Sequence, residues 1–354
     1  MSSPQIALVG TTRAGKSVLM TVLAKRLENK RNGVWLKPLG KTYSQIEEWW
    51  DTLQSGEWLP PTTPGTLLEL NWDLCIQDKR IPMRMFDYAG ENLTDLFSGK
   101  ADNQQGAAKE FFDKVKDNFD NSTIIIVLLN LESFLDPDKK TVRENKGTPI
   151  NAMTDFLKQA KNRSEELHIA FVFTAFDRYK ATIEGSRSKY GSYEKFLRQE
   201  IPPLYNEFID TNSPVRVFAV SAVADTETFT DTATGKTESR PKPGFRSEGI
   251  AEFLIPWLSQ AVLGAQTQID IQNEEARQDA ENGKYVTELV SQWNSIVNSE
   301  ELQAVERIIT EANKPLPYPN RPGASALNTE RNKVLNYAID LRSKIQTRQW
   351  ENTK

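Results

Sequence analysis

The fold is decided by the sequence QIALVGTTRAGKSVLMTVL at residues 5–23. Its first five residues include a short apolar run, and residues 18–23 are again mostly apolar. This predicts a strand and a helix on the two sides of a Gly-x4-Gly-Lys-Ser loop. Glycine allows the sharp turns that bring backbone N–H groups against a polyphosphate, and the following helix N-terminus adds partial positive charge. The stretch therefore predicts a phosphate-binding loop.

Three side chains of this loop have candidate chemical roles. Lys16 is expected to contact the β- and γ-phosphates, and the Ser17 hydroxyl is expected to ligate Mg²⁺. Arg13 has three alternatives: contact with the phosphates of its own chain, insertion into the site of a second copy as an arginine finger, or a solvated side chain. The residues assigned to nucleotide binding here are Gly10, Thr12, Arg13, Ala14, Gly15, Lys16, Ser17 and Val18.

The composition excludes several classes of protein. Of the 354 residues, 44 are Lys or Arg and 48 are Asp or Glu, which gives a formal net charge of −4. This balance argues against nucleic-acid binding through an overall basic surface. The single cysteine, Cys75, excludes an internal disulfide. The single histidine, His168, excludes a histidine-based triad and a multi-histidine metal site.

The same sequence predicts a cytoplasmic protein. No stretch approaches the ~20 apolar residues of a membrane-spanning helix. The chain enters its first strand without a recognisable signal peptide, and its low cysteine content fits a reducing compartment.

Buried strands alternate with helical patterns along most of the chain. Thr123–Leu129 is a continuous apolar, β-branched run typical of a strand buried on both faces, and Ile169–Phe173 and Val215–Val220 share this character. Thr66–Leu74 and Pro82–Phe86 predict a hairpin whose first strand lies antiparallel at the edge of the sheet. The predicted fold class is α/β, a mostly parallel P-loop sheet with helices on both faces.

Two regions depart from this alternation. Residues 225–248 are rich in Thr, Ser, Asp, Gly and Pro without periodicity, which indicates a solvent-exposed loop or a disordered or mobile insertion. Near the carboxyl end, helical patterns flank the proline-rich connector Lys314–Leu327. We therefore predict a nucleotide-binding domain over residues 1–263 and an all-helical C-terminal extension over residues 264–354.

A second element of the site follows the strand Pro82–Phe86. Asp87 stands at the carboxyl end of that strand, where a carboxylate beside the phosphate loop is expected to hold Mg²⁺. Gly90, three residues later, allows a backbone N–H to approach the γ-phosphate. This spacing is typical of the sensing contact in a nucleotide switch.

The third element is a loop that contains several threonines, at residues 58–66. A nucleotide switch needs one threonine there that closes over Mg²⁺ and the γ-phosphate and lets go after hydrolysis. Thr63 is the first choice as metal ligand and catalytic residue, and Thr62 and Thr66 are the alternatives. The other interpretation is a proline-stiffened loop with ordinary threonines.

The fourth and fifth elements are expected to read the base. Thr174 and Asp177 follow the strand Ile169–Phe173, and the Asp177 carboxylate would accept hydrogen bonds from N1 and N2 of guanine. Adenine lacks the exocyclic N2 donor. A backbone N–H near Ala222 would donate to guanine O6. The residues assigned to this second segment are Ser221, Ala222 and Val223.

In this order and on these strands, the five motifs resemble a Ras-like P-loop GTPase of the translation-factor-related class. The resemblance covers about residues 5–263. The approach Leu53-x-x-Gly56-x-Trp58-x-Pro60 is similar to that of bacterial GTPases encoded as paired or multi-component systems. The resemblance implies GTP or GDP with Mg²⁺ as ligands. It also implies a molecular switch that acts on a protein partner or effector, encoded alongside it, or on a second copy of the chain.

Two positions differ from the family pattern. Ala175 stands where the base-reading motif usually has lysine, which weakens the case for guanine. Glu91 stands where many small GTPases have a water-orienting glutamine; it could accept a proton from water, but it would also repel the γ-phosphate, so we expect slow hydrolysis. Two other functions stay open on the sequence: a P-loop ATPase or kinase-like enzyme, and a nucleotide-bound scaffold without turnover.

Overall fold

The computed structural model describes residues 3–10, 14–28, 33–63, 66–88, 105–135, 147–163, 167–209, 215–230, 237–297 and 301–351. Seven strands form one sheet: β1 Gln5–Gly10, β2 Val34–Pro38, β3 Leu67–Ile76, β4 Lys79–Tyr88, β5 Ile124–Asn130, β6 His168–Thr174 and β7 Arg216–Ala219. Two more strands, β8 Thr226–Thr230 and β9 Thr237–Pro241, form a separate antiparallel pair.

Ten helices accompany these strands in the described part of the chain, apart from shorter helical turns at Pro202–Leu204, Tyr205–Ile209 and Ile250–Leu254. They are α1 Lys16–Glu28, α2 Lys41–Gln54, α3 Ala107–Asp120, α4 Glu132–Leu135, α5 Gly147–Arg163, α6 Phe176–Glu184, α7 Tyr193–Glu200, α8 Ile255–Ile296, α9 Leu302–Ala312 and α10 Ala324–Glu351.

The sheet has the strand order β2-β3-β4-β1-β5-β6-β7. Strand β1 runs parallel to β4 and β5, and β6 runs parallel to β5 and β7, whereas β3 pairs antiparallel with both β2 and β4. The predicted mostly parallel sheet is confirmed. One detail was wrong: β3 is not the edge strand, because β2, which the sequence analysis did not identify, pairs with its outer side.

Two apolar cores lie on the two faces of the sheet because successive side chains of a strand point in opposite directions. Leu8 and Ile126 enter one core, and their chain neighbours Val9 and Val127 enter the other. Helices cover both faces, as predicted. Apolar residues that join the first core include Leu19 of α1, Ile46 of α2 and Leu258 of α8; those of the second include Val115 of α3, Leu157 of α5 and Phe196 of α7.

Residues 225–248 differ most from the prediction. Where the sequence indicated a loop or a disordered insertion, β8 and β9 form a five-pair antiparallel ladder, with residues 231–236 outside the described part. The residues of β8 are mostly exposed, so the sequence of this strand shows no alternation of apolar and polar residues. Backbone pairing and β-branched threonines stabilise the pair instead.

By contacts between residues, the chain divides into two compact units, Ser2–Gln266 and Thr267–Lys354. In the second unit, apolar residues of α8, α9 and α10 pack together, among them Leu289, Val305 and Ala338. The C-terminal region is therefore helical, as predicted. The functional boundary after residue 263 stays a prediction.

The proline-rich connector between α9 and α10 is held by one buried amide. Asn282 of α8 has no exposed surface. Its Nδ2 donates to the Tyr318 carbonyl at 2.8 Å, and its Oδ1 accepts from the Tyr318 N–H at 2.9 Å. An asparagine side chain satisfies both backbone groups of a segment that lacks regular pairing partners. Of the described helices, none is long and apolar enough to cross a membrane.

Candidate functional site

The phosphate loop ends in a buried lysine. Lys16 is the first residue of α1 and only 7% exposed, and its Nζ donates to the Gly10 carbonyl at 3.2 Å. Burial lowers the pKa of this ammonium to about 8, while the nearby Asp87 carboxylate opposes the shift. The charge therefore lies at the carboxyl end of β1, where the sequence predicts phosphate. Gly15 has φ +85°, a conformation that glycine adopts without strain.

Ser17 and Asp87 meet at the carboxyl end of the sheet, as the magnesium prediction requires. The Ser17 hydroxyl donates to Asp87 Oδ2 at 2.7 Å, and Asp87 is 1% exposed near the end of β4. A hydroxyl and a carboxylate are oxygen ligands that suit Mg²⁺, which binds through one or two protein groups and takes its other ligands from phosphates and water. In the described residues, no group of three or more His, Cys, Asp or Glu side chains could hold a metal.

The threonine loop reaches the same carboxylate through Thr62. Its hydroxyl donates to Asp87 Oδ2 at 3.3 Å. Thr63, the first choice from the sequence, is exposed, and its carbonyl accepts from the Thr66 N–H at 3.1 Å. The structure therefore brings Thr62 to the site, and it does not bring Thr63 or Thr66 there. The sequence pattern could not separate adjacent threonines, because the distinction depends on which side chain the loop turns inward.

Four candidate residues lie outside the described part of the chain. They are Thr12 and Arg13 of the phosphate loop and Gly90 and Glu91 after β4. Their assignments stay predictions.

The base-reading residues Asp177 and Ser221 form a closed pair of hydrogen bonds. The Asp177 N–H donates to Ser221 Oγ at 2.8 Å, and Ser221 Oγ donates to Asp177 Oδ1. Ser221 is 2% exposed and also exchanges two backbone hydrogen bonds with Glu248, at 2.9 Å each. This arrangement fixes the orientation of the Asp177 carboxylate at the end of β6.

Thr174 connects the base-reading end to the phosphate loop. Its hydroxyl donates to the Ala14 carbonyl at 3.2 Å, across 160 positions of sequence. The sequence predicted both residues as part of the site, and the structure shows that they touch. The two ends of the proposed nucleotide site are therefore joined by a direct contact.

Ala175 has an unusual backbone at the position of the usual lysine. It adopts φ 61° and ψ 35°, the left-handed region that alanine rarely occupies. Its methyl group cannot supply the long alkyl stem that a lysine would lay along the base. Ala222 and Val223 follow Ser221, and Val223 is buried in the first core with Ala222 packed against it.

Sequence reasoning missed contacts that come from the segment after Ser221. Ser239 of β9 accepts hydrogen bonds from Trp58 and from Arg178. The only signal was that Arg178 directly follows Asp177 and that Trp58 lies four residues before Thr62. Trp58 belongs to the approach to the threonine loop, but neither periodicity nor spacing connected Trp58 or Arg178 to Ser239.

Several solved structures of GTP-binding proteins match parts of the chain, at low identity and low TM-score. The Roco2 protein of Methanosarcina barkeri bound to GDP is 13% identical, with a TM-score of 0.32 over 74% of this chain and 50% of that one. Nucleolar GTP-binding protein 1 of Plasmodium falciparum is 11% identical, with a TM-score of 0.35 over 79% and 96%. The chain thus spans half the length of the Roco protein. No curated protein sequence matches it.

A third structure is an ADP-ribosylation-factor-like GTP-binding protein, or Sar1, of Encephalitozoon cuniculi in complex with GDP. It is 12% identical, with a TM-score of 0.32 over 78% of this chain and 85% of that one. Likenesses at this level say nothing about substrate or partner.

The comparison with protein families gives a definite result. The profile of the Double-GTPase 1 family matches residues 7–250, which is more than half of the chain. The matched range contains Lys16, Asp87, Asp177 and Ser221, the side chains that the structure places around the predicted nucleotide site. The chain therefore belongs to the Double-GTPase 1 family, and it is a P-loop GTPase that binds guanine nucleotide.

Proposed function

We propose that this GTPase is a slowly hydrolysing molecular switch that uses GTP and Mg²⁺ to control a protein partner. One observation carries the proposal: a single oxygen, Asp87 Oδ2, accepts hydrogen bonds from both Ser17 and Thr62. This oxygen joins the phosphate loop, the end of β4 and the threonine loop. A group bound between them would therefore control the position of all three.

The phosphate loop would neutralise the triphosphate. Lys16 would contact the β- and γ-phosphates, together with backbone N–H groups of residues 12–17. Ser17 and Asp87 would hold Mg²⁺, with Thr62 as the third protein ligand in the GTP state. Bound there, the metal ion supplies positive charge against the β- and γ-phosphate oxygens.

The base-reading end would select guanine. Ser221 fixes the Asp177 carboxylate, so this carboxylate is oriented before the base arrives. A pre-oriented acceptor loses little conformational freedom when it binds the N1–H and N2–H groups. Ala222 would offer its N–H to guanine O6, as the sequence predicts.

Hydrolysis would be slow because of the residue at the water-orienting position. At this position the negative charge of Glu91 would repel the γ-phosphate, whereas a glutamine would orient the attacking water. Arg13 is the candidate for extra positive charge, from its own chain or from a second copy. Both roles remain predictions from the sequence, as does the cytoplasmic location.

The threonine loop would transmit the nucleotide state to a partner. Trp58, four residues before Thr62, is 41% exposed, and Tyr43 of the preceding helix α2 is 50% exposed. Exposed aromatic side chains are enriched where proteins bind one another. Release of Thr62 after hydrolysis would move the segment that carries Trp58, which changes the surface offered to the partner.

Matched alanine variants of the two adjacent threonines test this proposal. We expect Thr62→Ala to lose about tenfold in affinity for GTP with Mg²⁺ and to bind GDP almost normally, because only the triphosphate state uses this hydroxyl. Thr63→Ala should resemble the parent protein in both states. Stopped-flow dissociation of a fluorescent GTP analogue and of a fluorescent GDP gives the comparison.

The opposite ranking of the two variants would reject Thr62 as the switch residue. Phosphate release measured over hours, with the parent protein and with Glu91→Gln, tests turnover. We expect slow release that the glutamine variant accelerates several-fold. A protein that binds GTP but releases no phosphate would be a scaffold rather than a switch.

A further inference from the structure

Residues 221–230 and 237–248, here called the ribbon, begin at the base-reading residues themselves. Ser221 pairs with Glu248, and the Ala224 N–H donates to the Arg246 carbonyl at 2.8 Å. The Asp225 carboxylate accepts from the backbone N–H of Arg246 at 2.9 Å and from its guanidinium at 3.1 Å. The two halves of the ribbon are therefore joined from Ser221 outward, and the ladder of β8 and β9 continues this pairing.

The returning half of the ribbon lies against the elements that precede the threonine loop. The Phe245 carbonyl accepts a hydrogen bond from the Arg26 guanidinium of α1 at 3.1 Å. The Phe245 ring packs edge-on against the Trp50 ring of α2, with centroids 5.4 Å apart. The Gly244 N–H donates to Gln54 Oε1 at 3.0 Å. Contacts with both helices fix the ribbon on this side of the sheet.

One residue of the ribbon contacts both ends of the site. The indole N–H of Trp58 donates to the Ser239 carbonyl at 2.6 Å. Arg178 Nη2 donates to the Ser239 hydroxyl at 2.8 Å. Trp58 lies four residues before Thr62, and Arg178 directly follows Asp177. Ser239 therefore connects the threonine loop to the base-reading loop through two hydrogen bonds.

We propose that the ribbon couples recognition of the guanine base to closure of the threonine loop, with Arg178 and Trp58 as positioning residues for Asp177 and Thr62. This inference rests on the proposed function. A base bound to Asp177 restricts the motion of the neighbouring Arg178. Through Ser239 and Trp58, this restriction favours the position in which Thr62 contacts the site. By reciprocity, a closed Thr62 strengthens base recognition.

The coupling has a measurable consequence for base selectivity. Inosine nucleotides lack the 2-amino group that Asp177 would bind, and Thr62 engages only triphosphates. Preference for guanine over hypoxanthine should therefore be larger for triphosphates than for diphosphates. Both bridging hydrogen bonds are solvent-exposed, and such bonds contribute modestly, so we expect the GTP/ITP affinity ratio to exceed the GDP/IDP ratio about two- to fivefold.

The experiment compares these two ratios in the parent protein, in Trp58→Phe, in Arg178→Gln and in the double variant. Each single variant should equalise the two ratios, and the double variant should add nothing further, because either change breaks the same bridge. Arg178→Lys keeps a donor for Ser239 and should restore part of the difference. A merely structural role would weaken all four nucleotides equally and leave the ratios unchanged.

Matched controls carry the same chemical changes elsewhere in the first unit. Trp257→Phe alters an indole that packs on Phe218, and Arg198→Gln alters a guanidinium over Tyr205. Both should keep the parent ratios. If Trp58→Phe or Arg178→Gln does not fold, Ser239→Ala is the alternative variant. It removes the hydroxyl that accepts from Arg178 and leaves the carbonyl that accepts from Trp58. It should equalise the two ratios, as Arg178→Gln does.

Two results would overturn the coupling. Equal ratios in the parent protein would show that the two ends act independently. A difference that survives in every bridge variant would show that the coupling does not pass through Ser239 and the ribbon. Either result leaves the proposed function intact, provided that GTP binds and Thr62→Ala weakens it selectively. Absence of any guanine nucleotide binding would instead remove the proposed function itself.

Discussion

The predicted phosphate-binding end and the predicted base-reading end of the site are built in different ways. At the phosphate end, Lys16 and Ser17 belong to one loop and the helix that follows it, and Asp87 joins them from strand β4. At the base end, the carboxylate of Asp177 is oriented by Ser221, 44 residues away, and that residue is itself paired with Glu248. Local sequence therefore specifies the phosphate end, whereas long-range contacts assemble the base end.

The largest effect is expected at the phosphate end. Lys16→Ala should lower affinity for GDP more than about 100-fold, or about 3 kcal/mol, because no other buried cation of α1 replaces its hydrogen bonds to phosphate. Isothermal titration calorimetry measures this change. Lys25→Ala is the matched control in the same helix; its ammonium pairs with Glu28 and Glu47 and should not affect binding.

At the base end, one carboxylate should decide selectivity. Asp177→Asn should weaken guanine nucleotides by about 10- to 100-fold and favour xanthine nucleotides, because the amide can donate to the additional oxygen of xanthine. Competition against a fluorescent nucleotide checks this. The control is Asp155→Asn on the exposed side of α5. Unchanged guanine affinity in Asp177→Asn would show that the base lies elsewhere.

A pH series separates the two ends, because Lys16, a buried cation, lies at the phosphate end. The pKa of Lys16 is about 8 instead of the ordinary 10.5. Above about pH 8 the free protein loses this charge, so affinity for GDP should fall about tenfold by about pH 9. Between those two pKa values the unfolded chain binds more protons, so the free energy of unfolding should rise with pH.

A GDP affinity that falls with pH while the free energy of unfolding rises would assign both pH dependences to Lys16. In Lys16→Arg the guanidinium stays charged throughout this range, so both pH dependences should flatten. Calorimetric titrations measure the affinity, and chemical denaturation at each pH measures the stability. Affinity and stability that change in the same direction would assign the pH dependence to another group.

The smallest effect is expected from the ion pair at the start of the ribbon. Arg246 lowers the pKa of Asp225 to about 2, but the Arg246 side chain is solvent-exposed and that of Asp225 is only half-buried. Asp225→Asn should therefore change GDP affinity less than about twofold and lower the melting temperature by about a few degrees at most. Thermal unfolding against Asp155→Asn measures the difference. A large loss of GDP affinity would show that the base end depends on this ion pair.

The structure brings together the residues that the sequence assigns to the phosphate end, because the signals for this end are local. The glycines, Lys16 and Ser17 stand at fixed spacing, and Asp87 follows a strand with a clear apolar pattern. The parallel strands were equally clear, since runs such as Thr123–Leu129 are buried on both faces. In each case the residues that define the feature are neighbours in the chain.

The features that the sequence analysis missed depend on distant partners. Strand β2 is only five residues long and is stabilised by pairing with β3. The ribbon is largely polar and its strand β8 is mostly exposed, so hydrophobic periodicity could not reveal it. Its partners Trp58 and Arg178 lie far away in sequence. The choice between Thr62 and Thr63 required the direction of a loop, which composition does not determine.

The single histidine makes one part of this molecule directly visible to spectroscopy. His168 begins β6, the strand that ends at Thr174, and its Nε2 lies 3.2 Å from the point where a side chain on Gly264 would begin. The imidazole therefore lies close to the backbone of α8, about 20 Å along the strand from the base-reading loop. In a nuclear magnetic resonance spectrum of protein with labelled histidine, its ring gives a single set of signals that needs no mutation for assignment. A change in those signals when nucleotide is added would show that binding alters the structure at the other end of β6.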